Sequence, residues 1–308
     1  MKTFKKLGLF MLILILQSCN SDDGVNANAL PLPETLTNLF ESNLSSKFQI
    51  ATFDANSNFT FTSEKGVTLN LTAGALRLNG APVSGLVKLE FIEIFNKADM
   101  LITNKPTIGK TPSGESRLLY SGGEFFIRVT QDAKDLTYQG FYNLRVPTAL
   151  TGGTDAGMLP FDGTINTDED LVWEQSVNAE LFVNPGQATI PAFYNVFNSN
   201  FGWFNCDRFA NYTGDKTTIT VLVPAGYAAV SQIFLTTKNV PNSLGKSYGT
   251  FPVGLECSVI FVTEKDGKFR YAIKPVEALQ VNHTVNFSLA ETTIGTKDQF
   301  VIAINAIP

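Results

Sequence analysis

LECSVIFVTEKDGKFRYAI, residues 255–273, decides the fold class. Leu255, Cys257, Val259 and Phe261 fall at every second position, the period of a strand with one apolar face. Asp266-Gly267 accepts positive φ at both central positions of a tight turn, so the chain reverses there into Phe269, Tyr271 and Ile273. The segment reads as a β-hairpin. Downstream, Val281, His283, Val285, Phe287 and Leu289 alternate with Asn282, Thr284, Asn286 and Ser288; upstream, Thr217, Ile219, Val221 and Val223 share one face. Alternation returns in Val67–Leu71, Val87–Phe91, Phe125–Val129 and Tyr142–Val146, with Asn79-Gly80 as a turn and Pro147 as a stop. Only Glu34–Phe48 has helical spacing, through Leu36, Leu39, Phe40 and Leu44.

Many short strands with little helical periodicity predict an all-β chain of two antiparallel β-sandwich (Ig-like) domains, at 48–150 and 216–308. Gly152-Gly153, the acidic run through Asp162, Asp168, Glu169 and Asp170, and Pro185-Gly186 mark residues 151–215 as a loop-rich connecting segment. With 308 residues, 44% hydrophobic and 17% charged, the chain can bury a substantial core and is not disordered as a whole. Three Cys and one His argue against thiolate or imidazole metal sites, and no nucleotide or hydrolase signature occurs, so neither cofactor nor metal is expected.

The N-terminus carries an address. Lys2, Lys5 and Lys6 precede the apolar run Leu7–Leu16, which rises only about 15 Å as a helix, too short for a membrane span. Residues 1–18 read as a signal peptide. Leu16-Gln17-Ser18-Cys19 resembles the bacterial lipobox, which implies cleavage before Cys19 and its lipidation, palmitate included. Asn20 with Ser21, Asp22 and Asp23 resembles the acidic export tag of Bacteroidota lipoproteins, and residues 19–47, with Pro31 and Pro33, form the lipidated cysteine and tether. The expected location is the outer membrane, lipid-anchored and facing the cell exterior. Loss of Lys2, Lys5 and Lys6 leaves a formal charge of −8 without a basic stripe, which argues against nucleic acid as a partner.

Gly66-Val67-Thr68-Leu69-Asn70-Leu71-Thr72-Ala73-Gly74-Ala75-Leu76 resembles the start of the β-sandwich domain of ankyrins and netrin receptors, with Thr72 in place of a proline. Lys97-Ala98-Asp99-Met100 with Thr107, Ser121-Gly122-Gly123-Glu124-Phe125-Phe126, and Gly202-Trp203-Phe204-Asn205-Cys206-Asp207-Arg208-Phe209 together resemble a family of uncharacterised Bacteroidota surface lipoproteins. That resemblance spans residue 48 onward and implies a fold and a compartment, with no established reaction or ligand.

Within Gly202–Phe209, Trp203, Asn205, Asp207 and Arg208 admit two roles: an aromatic-floored ligand pocket edged by charge, or a strand whose Trp203 and Phe209 fill a core while Asp207 or Arg208 locks a neighbouring loop. The structural role is favoured, because aromatics more often fill cores. Asp99 with Glu124 could form a carboxylate pair of glycosidase type, although nothing in their spacing brings them together. His283 shares a strand face with apolar residues and reads as a half-buried, hydrogen-bonded imidazole. Asp54-Ala55-Asn56-Ser57-Asn58 imitates a calcium loop but has Phe59 and Lys65 where Gly and Glu belong. Lipidation of Cys19 leaves Cys206 and Cys257 as a potential disulfide in an oxidising compartment. A non-enzymatic binding or interaction module for a glycan or an outer-membrane partner fits best; a carboxylate-based polysaccharide hydrolase and an inert spacer are the alternatives. A binding module predicts an accessible aromatic near Trp173, Trp203 or a tyrosine.

Overall fold

The computed structural model describes residues 30–166 and 170–308. The diagnostic hairpin is present: Cys257–Lys265 pairs with Lys268–Val276 from Cys257↔Val276 to Lys265↔Lys268, and Asp266 and Gly267 take φ of 52° and 73°. Ser231–Thr237 adds on one side and Thr293–Gly295 on the other, with Gly245–Lys246 outermost, completing a five-stranded antiparallel sheet. Alternation predicted one wet face, yet Cys257–Lys265 is buried throughout. Helices cover the second face: α1 (Pro33–Ser45), α2 (Lys97–Ile102) and α3 (Lys297–Asn305) pack Leu36, Met100 and Phe300 against Ile260, Val262 and Phe269. Opposite them, Val259 and Phe261 meet Tyr227, Phe251 and Phe287. The sequence reading missed α2 and α3, which are too short for a helical period to emerge; a reciprocal Thr296/Gln299 capping box starts α3.

The N-terminal part is built around two large sheets, with a small third one of Thr137–Tyr138, Leu76–Leu78 and Ala81–Pro82. The first large sheet runs in the order Gln49–Asp54, Leu86–Ile94, Ser116–Gln131, Gly202–Phe209, Leu159–Ile165, Leu171–Gln175, Ile108–Lys110. Ile108–Lys110 also pairs back onto Ser116–Gln131, so these last five strands close into a small barrel. The second sheet, Ala179–Asn184, Phe193–Asn198, Tyr142–Pro147, Thr68–Leu71 and Phe59–Thr62, shares a core with the first through Leu69, Leu144 and Val196 against Leu89, Phe91 and Phe125.

Residues 151–215 are therefore not a connector: they supply five strands to these two sheets. Their strands are short and broken by Gly and Pro, and Gly163 interrupts the apolar alternation, which hides the period. The architecture is mostly β, with several antiparallel sheets, the closed barrel and two parallel pairs, Leu171–Gln175 beside Ile108–Lys110 in the barrel and Ile219–Leu222 beside His283–Asn286.

The segment around residues 240–246 ties the C-terminal sheet to the barrel. Thr107 N donates to the Leu244 carbonyl at 2.8 Å, Leu244 N returns a bond to Thr107 Oγ1 at 2.9 Å, and Ser243 Oγ donates to the Leu119 carbonyl at 2.7 Å. Residues 31–308 accordingly form one compact unit.

Candidate functional site: a pocket at the mouth of the barrel

Gly202–Phe209 turns Trp203, Asn205, Asp207 and Phe209 toward the barrel interior and Phe204 and Cys206 toward the inter-sheet core. Leu119, Phe161, Leu171 and Trp173 complete the barrel's apolar filling. Trp173 is fully buried and its Nε1 donates to the Pro106 carbonyl at 3.0 Å. The indole of Trp203 stands edge-on to that of Trp173, with ring centres 6.4 Å apart, and packs on Phe126 at 5.2 Å. Gly163 makes this pairing feasible, because a Cβ there would lie 2.6 Å from the Trp173 ring and 2.7 Å from Trp203 Cβ.

A β-bulge accounts for the Ser121-Gly122-Gly123-Glu124 motif. Asn205 pairs with Glu124 and Asp207 with Ser121, so two residues, Gly122 and Gly123, oppose Cys206 alone. Ser121 and Glu124, three apart, would otherwise face opposite sides of the strand; the bulge turns both inward. Gly123 sits at φ 128°, and a Cβ on Gly122 would come within 2.8 Å of the Cys206 carbonyl oxygen.

The bulge assembles a polar cluster behind Trp203. Glu124, Asn205 and Asp207 are all fully buried. Asn205 Nδ2 donates to Asp207 Oδ2 at 2.7 Å, while both carboxylate oxygens of Glu124, Asp207 Oδ1 and Asn205 Oδ1 have no hydrogen-bond partner. Burial pushes both carboxyls well above the usual carboxylate range; the charge of Asp207 adds to the effect on Glu124 and Lys105 opposes it, while the Ser121 hydroxyl opposes the shift at Asp207.

Lys105 reaches the mouth through a local device. Asn96 caps α2 by accepting from Asp99 N at 2.9 Å, Thr103 Oγ1 donates to the Asp99 carbonyl at 2.7 Å at the other end, and Asn104 turns the chain at φ 52°. Lys105 follows with its Nζ 5.5 Å from the centre of the Trp203 ring and with no side-chain hydrogen bond to a described residue. Burial lowers its pKa, an effect that Glu124, Asp170 and Glu41 oppose. Over Trp203 and Lys105 opens a pocket of about 370 Å³, walled by Thr37, Phe40 and Glu41 of α1, by Asn104, and by residues 229–232 at the start of the strand Ser231–Thr237. The Oδ1 of Asn104 is buried without a partner.

Other expectations fare differently. Arg208 points away from the barrel and anchors the loop at Asp155, Nε to Oδ2 2.5 Å, with its guanidinium over the Tyr120 ring at 4.8 Å. Asp99 does not join Glu124: it pairs with Lys47 at 2.6 Å. Cys206 and Cys257 are free and lie in separate cores, one between the two N-terminal sheets and one in the C-terminal part, so no bridge joins them. His283 Nδ1 accepts from Gln280 N at 3.2 Å, and Asp54 Oδ1 closes a turn onto Asn56. Cys19, Ser21, Asp22, Asp23, Asp168 and Glu169 lie outside the described residues.

Lys105, Asn104 and the α1 wall were not singled out from sequence; a lone Asn-Lys followed by Pro106, between Ile102 and Ile108, was the available signal. Among the described residues no three His, Cys, Asp or Glu side chains come together as a metal site, and no helix is long and apolar enough to cross a membrane. Comparison with protein-family models, curated proteins and solved structures finds no match.

Proposed function

We propose that this chain is an outer-membrane lipoprotein, anchored through Cys19 and facing the cell exterior, whose folded part is a non-enzymatic binding module that takes a glycan into the pocket over Trp203. The observation that carries the reading is the convergence, at one opening, of an indole with an ammonium that has no hydrogen bond or ion pair among the described residues and an amide oxygen without a partner there. A sugar ring has an apolar C–H face for the indole and hydroxyls for Lys105, Asn104, Thr37 and Glu41. The paired sheets of the N-terminal part suit the sandwich that the family resemblance implies. A carboxylate hydrolase is disfavoured because glycoside hydrolysis needs two acids flanking the bond, and Glu41 is the one acid among the described residues of the wall.

Binding is tested on a glycan array with soluble chain from residue 24, which retains the compact unit. Lys105→Met, which keeps most of the stem, is expected to weaken any retained glycan about tenfold, near 1.4 kcal/mol, with unchanged thermal unfolding. Cleavage of labelled polysaccharides would favour the hydrolase instead, and a pull-down that captures an outer-membrane protein independently of Lys105 would favour the partner reading. For the anchor, Cys19→Ala is expected to abolish palmitate labelling and release the protein into the soluble fraction. Unchanged labelling would refute lipidation at that residue.

A further inference from the structure

We propose that the barrel interior binds one calcium ion between Glu124, Asn205 and Asp207. Four oxygen atoms support it: Glu124 Oε1 and Oε2, Asp207 Oδ1 and Asn205 Oδ1, all buried and none hydrogen-bonded. They belong to side chains that the strand register places together, Asn205 opposite Glu124 and Asp207 two residues along the same inward face. The amide is oriented for the role. Asn205 Nδ2 is committed to Asp207 Oδ2, which leaves the oxygen of each side chain free.

Two carboxylates withdrawn completely from water require compensation, because an isolated buried charge costs far more than a barrel of this size can absorb. Lys105 offsets part of the charge of Glu124, whereas the other nearby ammonium, Lys246, is engaged by Asp170. Asp207 has only the neutral donors Asn205 Nδ2 and the Ser121 hydroxyl, so one carboxylate charge has no countercharge of its own among the described residues, and a divalent ion would cover it. Carboxylate and amide oxygens are hard donors, which select calcium, magnesium or manganese over softer metals. Calcium fits best among these: it tolerates an irregular shell and a bidentate glutamate, whereas magnesium demands a near-ideal octahedron. Waters or main-chain carbonyls would complete the shell. The bulge gains a purpose here, since it alone lets Ser121 and Glu124 face the same cluster.

The inference does not depend on the glycan pocket. The chain from residue 24 is stripped with chelator, re-equilibrated with calcium chloride and desalted. The expected results are one calcium retained per chain by elemental analysis, and an unfolding temperature several degrees higher at a calcium concentration about a hundredfold above the dissociation constant. Terbium, used as a luminescent substitute, should emit on tryptophan excitation, because Trp173 and Trp203 line the same interior, and calcium should quench that emission by competition. Asp207→Asn and, should that variant not fold, Glu124→Gln are expected to abolish retention and sensitised emission together. No retained calcium, with an unfolding temperature indifferent to calcium, magnesium and manganese, would overturn the site in favour of a protonated acid pair. Retention that survives both substitutions would also overturn it, as adventitious surface binding.

Discussion

Trp173→Ala is expected to destabilise the protein by about 3–5 kcal/mol, the range for deleting a buried large aromatic side chain. Three losses act together. The indole is completely buried at the centre of the barrel, its Nε1 is the donor for the Pro106 carbonyl, and its ring supports Trp203. Neighbouring strands are fixed by a closed ladder, so the barrel cannot collapse to fill the space. Trp203 would lose its edge contact and tilt inward, so the pocket should be lost along with the stability. Urea unfolding checks the first effect; a loss below about 1 kcal/mol would mean that Trp173 does not organise the barrel. Trp173→Phe keeps one aromatic ring but removes the donor and the fused five-membered ring, so a cost of about 1–3 kcal/mol is expected for that variant.

Gly123→Ala should be comparably severe. At φ 128° an L side chain is strained, and the added Cβ would lie 2.6 Å from the Phe95 ring and 2.7 Å from the Phe125 ring. Backbone strain and overpacking each cost about 1–3 kcal/mol, and here both fall on one atom. The combined loss, about 3–5 kcal/mol, corresponds to a drop of roughly 10 °C in unfolding temperature for a unit of this length. Gly80→Ala is the natural control: its φ of 83° is also positive, but nothing lies within 4 Å of the added Cβ, so strain without collision should cost less. Equal losses for the two variants would remove the steric part of the account.

Most of the β elements could be read from alternation because their second face is polar or their turns are chemically marked, as at Asp266-Gly267. The barrel could not. Its closure depends on Ile108–Lys110, a three-residue strand, and on Leu171–Gln175, where Leu171 and Val172 leave no alternation to detect. Ser121-Gly122-Gly123-Glu124 stood out in the sequence, but the bulge it builds is visible only against its partner strand. Trp203, Asn205 and Asp207 were named from sequence, and their positions at every second residue already placed them on one face. Glu124 and Asp99 stay apart for a specific reason: Asp99 sits at the capped start of α2, where the half-buried Lys47 meets it, while the bulge turns Glu124 inward to Asn205 and Asp207. Lys105 was missed because its importance comes from the Asn104 turn and from α1, some sixty residues earlier in the chain.

Trp203 itself offers the most direct test of the pocket. The chain has two tryptophans, so Trp173→Phe leaves Trp203 as the sole indole, at the mouth of the barrel. Each glycan retained on the array is titrated into this variant while its emission is followed. A saturable change in Trp203 emission, with a midpoint that rises about tenfold when Lys105→Met is added, is the result predicted here. Glycan retention with no change in Trp203 emission, or with a midpoint indifferent to Lys105, would contradict the pocket as the binding site.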